Sequence, residues 1–290
     1  AITETPLVIY LSQRPGPATG MATWTGQTDL LFVLHASQDE FPRIILTPTD
    51  QEEVREMTFL AFNLAEKYQI PVFILVDKYL SETYSTLEFS STSIKKINRG
   101  MILSNRALAR LEDFKRYEFT DSGISPRSMP GQINGTHVAN SEEGDEYGFS
   151  DESSVNRQKK MQKRFKKVKD IISHMPELNI YGDYRSKTCL CTWGSSKGAA
   201  LEAIRRLQSK GISVKLVALN YIEPFPADEI RKVLHSAQKL LTFEQNYSGQ
   251  LGGLIFKHTG RETDSALNKY DGRPFFPDEI EDFLIQNIQR

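Results

Sequence analysis

Apolar residues fall along this chain in two rhythms. Short unbroken apolar runs recur at Leu7–Leu11, Arg43–Thr47 and Ile70–Val76, then at Thr188–Trp193, Val214–Leu219 and Lys239–Glu244. Runs of this length, apolar on both faces, predict buried parallel strands. Between them the spacing changes to helical. Val54, Met57, Leu60, Ala61, Leu64 and Tyr68 make one apolar stripe, and Asp50 with Glu53 predicts a capping box at its start. Shorter helices are expected over 28–36, from the Gly194–Gly198 turn through Leu207 with Gly211 closing it, over Asp228–His235, and over Gln250–His258. Strand and helix alternate, so the fold class is α/β with parallel sheet.

The stretch 85–155 breaks both rhythms. It is rich in Ser, Asn, Gly and acids, and it predicts a long irregular crossover. It ends in opposite charges: six carboxylates lie within 142–152, and eight Lys or Arg with no acid lie from Arg157 to Lys169. Met161, Phe165, Val168, Ile172 and Met175 keep helical spacing there, which predicts an amphipathic helix with a charged outer face, partly neutralised by a solvated acidic loop. The domains expected are therefore 1–90, a crossover 91–185 carrying the basic helix, and 186–290.

Composition narrows the function. The chain has 290 residues, 39% hydrophobic and 25% charged, with formal net charge −1. Nothing in that balance calls for nucleic acid, and no apolar run is long enough for a membrane helix. Cys189 and Cys191 are the only cysteines. Two thiols one residue apart on a strand point the same way and would strain a disulfide, so reduced thiols in a cytoplasmic protein are expected. Two cysteines also cannot hold a four-thiolate iron–sulfur cluster. No metal site is expected.

The densest candidate chemistry is the loop Gln13-Arg-Pro-Gly-Pro-Ala-Thr-Gly20, placed at the end of the first strand. Ligands bind open α/β sheets at strand carboxyl ends. Two prolines stiffen this loop, and Arg14 offers a planar fork suited to a carboxylate or phosphate. A solvated turn is the plain alternative. The Gly194-Ser-Ser-Lys-Gly198 turn is a weaker anion candidate, lacking full Walker spacing. Glu244 and Asn246 sit at a strand end, suited to binding, to structural hydrogen bonding or to docking a partner. Arg127 and His137 either reach an active site or anchor the crossover.

The Gln13–Gly20 loop followed by Gln27-Thr-Asp-Leu-Leu31 resembles the alpha subunit of 2-oxoacid:ferredoxin oxidoreductases, the 2-oxoglutarate type in particular. That family usually carries Gly-Pro-Ser-Thr-Gly and then Thr-Glu-Gln-X-Asp-Leu; here Ala18 replaces the Ser and Gly26 the Glu. The resemblance continues through Ser122-Gly-Ile-Ser-Pro-Arg-Ser-Met-Pro-Gly131, Trp193-Gly-Ser, Pro224-Phe-Pro226, Glu244-Gln-Asn246 and Lys269-Tyr-Asp-Gly-Arg-Pro274. It implies an incomplete thiamine-type pyrimidine-binding domain followed by a transketolase C-terminal-like α/β domain. It also implies that Arg14 neutralises the substrate carboxylate, with Gln13, Pro17, Thr19 and Gly20 near the cofactor.

The cofactor implied is thiamine diphosphate with Mg, held mostly by a beta subunit that also carries an iron–sulfur cluster. The reaction implied is oxidative decarboxylation of a 2-oxoacid, with electrons passed to ferredoxin and the acyl group to coenzyme A, in a homodimer of heterodimers. The family's Tyr-Pro-Ile-Thr-Pro-type segment and activating Glu do not occur after residue 1, so further sequence is expected upstream and no catalytic residue is expected within the chain. A non-catalytic relative serving as a structural or interaction module is the alternative. A different thiamine enzyme is disfavoured by the 122–131 loop.

Overall fold

The structure, a computed structural model, describes residues 1–88 and 96–288. The part of the expected irregular stretch at 89–95 lies outside the described residues. Among the described residues the strands form two mostly parallel sheets.

The first sheet has the order β1-β3-β2-β7, built from β1 (Leu7–Gln13), β2 (Ile44–Leu46), β3 (Pro71–Asp77) and β7 (Tyr221–Glu223). β3 lies between β1 and β2, parallel to both, and all seven of its residues are buried. The expectation of a buried first strand needs correcting. β1 is an edge strand, with Leu7 49% and Tyr10 54% exposed. An apolar run signals strand, but its place within a sheet depends on partners far off in the chain. α1 (Leu30–Leu34) is shorter than expected. α2 (Gln51–Tyr68) follows the sequence closely. Asp50 accepts from the Glu53 N–H at 2.9 Å, while the Glu53 carboxylate reaches back to the Thr49 N–H at 2.9 Å, one residue earlier than a standard capping box. Met57, Ala61, Leu64 and Tyr68 form its buried stripe.

The second sheet has the order β4-β6-β5-β8-β9. Its strands are β4 (Asn179–Gly182), β5 (Thr188–Trp193), β6 (Lys215–Leu219), β8 (Lys239–Glu244) and β9 (Ser265–Asn268). Around it lie α6 (Lys197–Ser209), α7 (Ala227–His235), α8 (Gln250–Thr259) and α9 (Pro277–Ile288). β4, β7 and β9 carry no clear apolar rhythm and are not foreseen; α9 is not foreseen either, although Ile280, Phe283, Leu284 and Ile288 keep helical spacing. Two of them run antiparallel: β4 on β6, and β7 on β2. Strand exchange therefore crosses the divide near residue 186 both ways. β4 precedes it yet joins the second sheet, and β7 follows it yet joins the first.

Between β3 and β4 the described chain contains α3 (Lys78–Glu82), the short α4 (Asn105–Leu108), irregular backbone and α5 (Ser154–Ile172). The basic helix α5 is the main reversal. Its charged face is turned inward, with Lys160, Lys163, Arg164 and Lys167 buried, while Phe165 is 43% and Ile172 57% exposed. The acceptors come from elsewhere in the chain. Lys163 donates to Glu4 at 2.5 Å and to the Tyr117 carbonyl, and Lys167 donates to the Tyr68 carbonyl at 2.9 Å and to Glu4. Lys160 donates to the Asp145 carbonyl, and Arg164 grips Glu143 with two nitrogens. The acidic loop is accordingly not free in solvent: Glu143 holds Arg157 and Arg164, and Glu146 holds Lys115. The Lys160 and Lys163 ammonium groups also sit 4.9 and 5.9 Å from the centre of the Tyr117 ring. Helical spacing marks the apolar stripe, but it cannot show that buried carboxylates and carbonyls will claim the other face.

Glu4 is the anion at the centre of this cluster. Burial pushes its carboxyl up, but Lys167 and Lys163 outweigh that and hold it at about 2 against the usual 4.5. Burial lowers Lys163 to about 8 despite the attraction of Glu4. The two groups act in different pH windows. Glu4 contributes stability above its ordinary value of 4.5 and loses it as pH falls toward about 2. Lys163 costs stability at neutral pH, a cost relieved as pH rises from about 8 to 10.5. Glu4→Gln should destabilise the fold by about 3 kcal/mol near neutral pH, because it leaves buried ammonium groups unpaired. Urea unfolding across an acid pH series checks this, and the variant should also lose part of the acid sensitivity of the parent.

Candidate functional site

The Gln13–Gly20 loop leaves the carboxyl end of β1 and folds back on itself. The Met21 N–H reaches the Pro15 carbonyl at 3.0 Å. Gly20 makes this closure possible: its φ is +50°, and a Cβ there would lie 1.9 Å from the Pro15 oxygen. The loop leans on the second half of the chain. Thr25 N–H donates to the Gly272 carbonyl at 3.1 Å, and the Arg273 guanidinium lies 3.1 Å from the centre of the Trp24 ring.

Arg14 stands exposed on this frame. Its Nε donates to the Thr19 carbonyl at 2.9 Å, and its terminal nitrogens have no partner among the described residues. Asp29 is the nearby acid. Burial raises its pKa, and Thr28 and Arg14 pull it back down, but the two side chains make no ion pair. Pro17, Thr19 and Gly20 are exposed beside Arg14. Gln13 is not: its amide is buried, donating to the Val76 carbonyl and accepting from the Asp29 N–H at 2.9 Å.

The loop is fixed from below by Gln27. Its Nε2 donates to the Trp193 carbonyl at 2.9 Å and to Asp77 Oδ2 at 3.3 Å. Its Oε1 accepts from the Gln245 N–H at 2.9 Å. Its own N–H donates to the Gln245 carbonyl at 2.8 Å, and its carbonyl accepts from Asn246 Nδ2. One residue thus joins the loop, the end of β3, the end of β5 and the end of β8. Gln250 adds bonds to the Thr28 carbonyl and the Leu31 N–H.

The other candidates are placed as follows. The Gly194–Ser196 turn already has its anion: the Ser195 N–H donates to Asp77 Oδ2 at 2.9 Å, and a Cβ on Gly194 would lie 2.8 Å from that oxygen. Asp77 is the residue sequence reasoning missed. An acid ending a fully apolar run was the available signal. Glu244 is a buried structural acceptor at the start of α8, taking the Leu251 N–H at 2.9 Å and Asn246 Nδ2 at 2.6 Å. Burial raises its pKa, and those donors oppose the rise. Arg127 pairs with Glu66 near the end of α2 and donates to the Arg99 carbonyl. His137 packs edge-on against Phe114 and Tyr117. Both anchor the crossover. Arg127 lies toward the amino ends of β1 and β3, at the opposite end of the strands from Arg14, and the structure brings neither Arg127 nor His137 to the loop. Cys189 and Cys191 are buried free thiols.

A diphosphate with a magnesium ion does not fit this set. Asp77 fills the serine-rich helix start, and among the described residues no group of three His, Cys, Asp or Glu is placed to hold a metal ion. What the chain does present is a single guanidinium on a braced loop at the strand ends. No helix among the described residues is long and apolar enough to cross a membrane.

An exposed cation at the carboxyl end of a parallel α/β sheet stands where such sheets bind their ligands. Residues 1–164 match the family of pyruvate flavodoxin/ferredoxin oxidoreductase, thiamine diphosphate-binding domains, and residues 186–280 match core domain II of pyruvate:ferredoxin oxidoreductase. The chain belongs to that pyruvate flavodoxin/ferredoxin oxidoreductase family. The 2-oxoacid:ferredoxin oxidoreductase subunit alpha of Saccharolobus solfataricus is 38% identical over 292 residues, 99% of this chain and 45% of its own. The 2-oxoglutarate synthase subunit KorA of Methanothermobacter marburgensis is 28% identical, over 97% of this chain and 73% of its own. A solved 2-oxoglutarate:ferredoxin oxidoreductase from Magnetococcus marinus, with 2-oxoglutarate, coenzyme A and succinyl-CoA bound, matches with a TM-score of 0.91 at 30% identity, over 99% of this chain and 50% of that one. The chain thus spans about half the length of the first of these relatives. The resemblance to alpha subunits of 2-oxoacid:ferredoxin oxidoreductases is borne out; the substrate named differs from relative to relative.

Gln27→Leu keeps the side chain's size but leaves a carbonyl, an amide N–H and a carboxylate oxygen without this partner. It should lower stability by about 3 kcal/mol. A urea titration checks the loss, and Gln27→Glu should not restore it, since a carboxylate cannot donate to Asp77.

Proposed function

We propose that this chain supplies the substrate-gripping part of a thiamine-diphosphate-dependent 2-oxoacid:ferredoxin oxidoreductase. The observation that carries the reading is Arg14: exposed, braced at Nε by the Thr19 carbonyl, and with its terminal nitrogens free of any ion pair. A fixed guanidinium holds a carboxylate in one orientation at low entropic cost. Such a grip sets the neighbouring 2-oxo carbon in one place. Thiamine diphosphate, when bound, supplies the electron sink for decarboxylation. Its diphosphate, its magnesium and an iron–sulfur cluster belong in this reading to a beta subunit, in a homodimer of heterodimers in the cytoplasm. Electrons go on to ferredoxin and the acyl group to coenzyme A. We favour 2-oxoglutarate as the oxoacid, supported by the relatives named for it. Arg127 and His137 serve this reading only as braces of the crossover.

The test uses the full-length protein assembled with its partner and measures 2-oxoacid-dependent dye reduction with coenzyme A present. Turnover with 2-oxoglutarate should exceed that with pyruvate. Arg14→Lys should lower kcat/KM by about tenfold or more, since a point charge replaces the fork, with no loss of stability. Near-native kcat/KM in the Lys variant would remove Arg14 from its role.

A further inference from the structure

A second cleft opens at the other edge of the first sheet. Arg14 follows the last residue of β1, whereas this cleft lies by Arg43, just before the first residue of β2, and the two strands run parallel through β3. Its volume is about 430 Å³, within the range of small-molecule sites. Its walls are mixed: Phe41, Phe165, Val168 and Leu254 line it beside Glu40, Arg43, Glu223 and Lys257. Phe165 and Val168 of α5 supply one wall.

Most of the charge around the cleft is already committed. Arg43 donates to the Val33 and Ala36 carbonyls, and Asp39 is paired with Arg157. Glu40 stays exposed at the rim. The His258 ring is stacked on Phe225 at 4.5 Å. Glu223, half-buried, and Lys257, exposed, bring opposite charges to the lining, and among the described residues neither side chain has a hydrogen bond or an ion pair. They feel each other electrostatically, yet no contact within 4.0 Å joins them. Burial pushes the Glu223 carboxyl up, and Lys257 and Arg43 pull it back down.

We propose that this cleft binds a free α-amino acid with an apolar side chain. The ammonium group pairs with Glu223, the carboxylate with Lys257, and the side chain lies against Phe165, Val168 and Leu254. A zwitterion answers both unpaired charges at once, whereas a simple amine or a simple acid leaves one without a partner. Such a ligand would bridge β7 and α8 of the second half to α5 of the crossover, far from Arg14, so its occupancy would act on the protein without competing with the oxoacid.

Isothermal titration of the full-length protein with L-phenylalanine and L-leucine tests the assignment. Saturable binding is expected. Phenethylamine, which lacks the carboxylate, and N-acetyl-L-phenylalanine, which lacks the ammonium, should each bind about tenfold more weakly or worse. Glu223→Gln and Lys257→Met should each cost about the same, and Val168→Trp, which fills the cleft, should abolish binding. Thermal melting of the free variants shows that they are folded. The proposal is overturned if neither amino acid binds below roughly 10 mM. It is equally overturned if the N-acetyl compound binds as well as the zwitterion, which would make the cleft a groove for a peptide segment, or if Glu223→Gln binds like the parent.

Discussion

The arrangement depends on one amide. Gln27 satisfies the ends of β3, β5 and β8 together, and its own backbone pairs with Gln245 and Asn246. These are buried polar groups, each costly to leave unmet. The amide is suited to the position because it donates on one side and accepts on the other. A carboxylate would repel Asp77, and an apolar side chain would strand three partners. The loop that carries Arg14 begins and ends on this junction, so the direction of the guanidinium is inherited from it. Asp77 extends the same economy, since one of its oxygens caps α3 and the other meets the start of the next sheet's helical turn.

Much of this was legible beforehand, and what was not shares a physical cause. The six apolar runs became strands, and α2 began at its foreseen cap, because those signals are local. The Arg14 loop was legible for the same reason: proline and glycine restrict backbone whatever surrounds them. The exposure of β1, the partners of β4 and β7, and the inward face of α5 were not legible. Each is decided by groups distant in sequence, such as Glu4 reaching Lys163 across the whole crossover. Glu244 shows the ambiguity at a single residue. A carboxylate at a strand end reads equally as ligand or as cap, and only the position of the Leu251 N–H decides it.

α5 shows how far local rules can be overridden. A lysine-rich face is ordinarily the wet face of a helix. Here long aliphatic stems cross the interior and deliver ammonium groups to the Asp145 and Tyr117 carbonyls of the crossover and to the Tyr68 carbonyl at the end of α2. Between α4 and α5 the described chain has no named strand or helix, so its peptide groups need donors, and α5 provides some of them.

The exchange of β4 and β7 between the sheets has a mechanical outcome. The backbone therefore passes between the two sheets more than once, so any shift of one sheet against the other must move several short connections together.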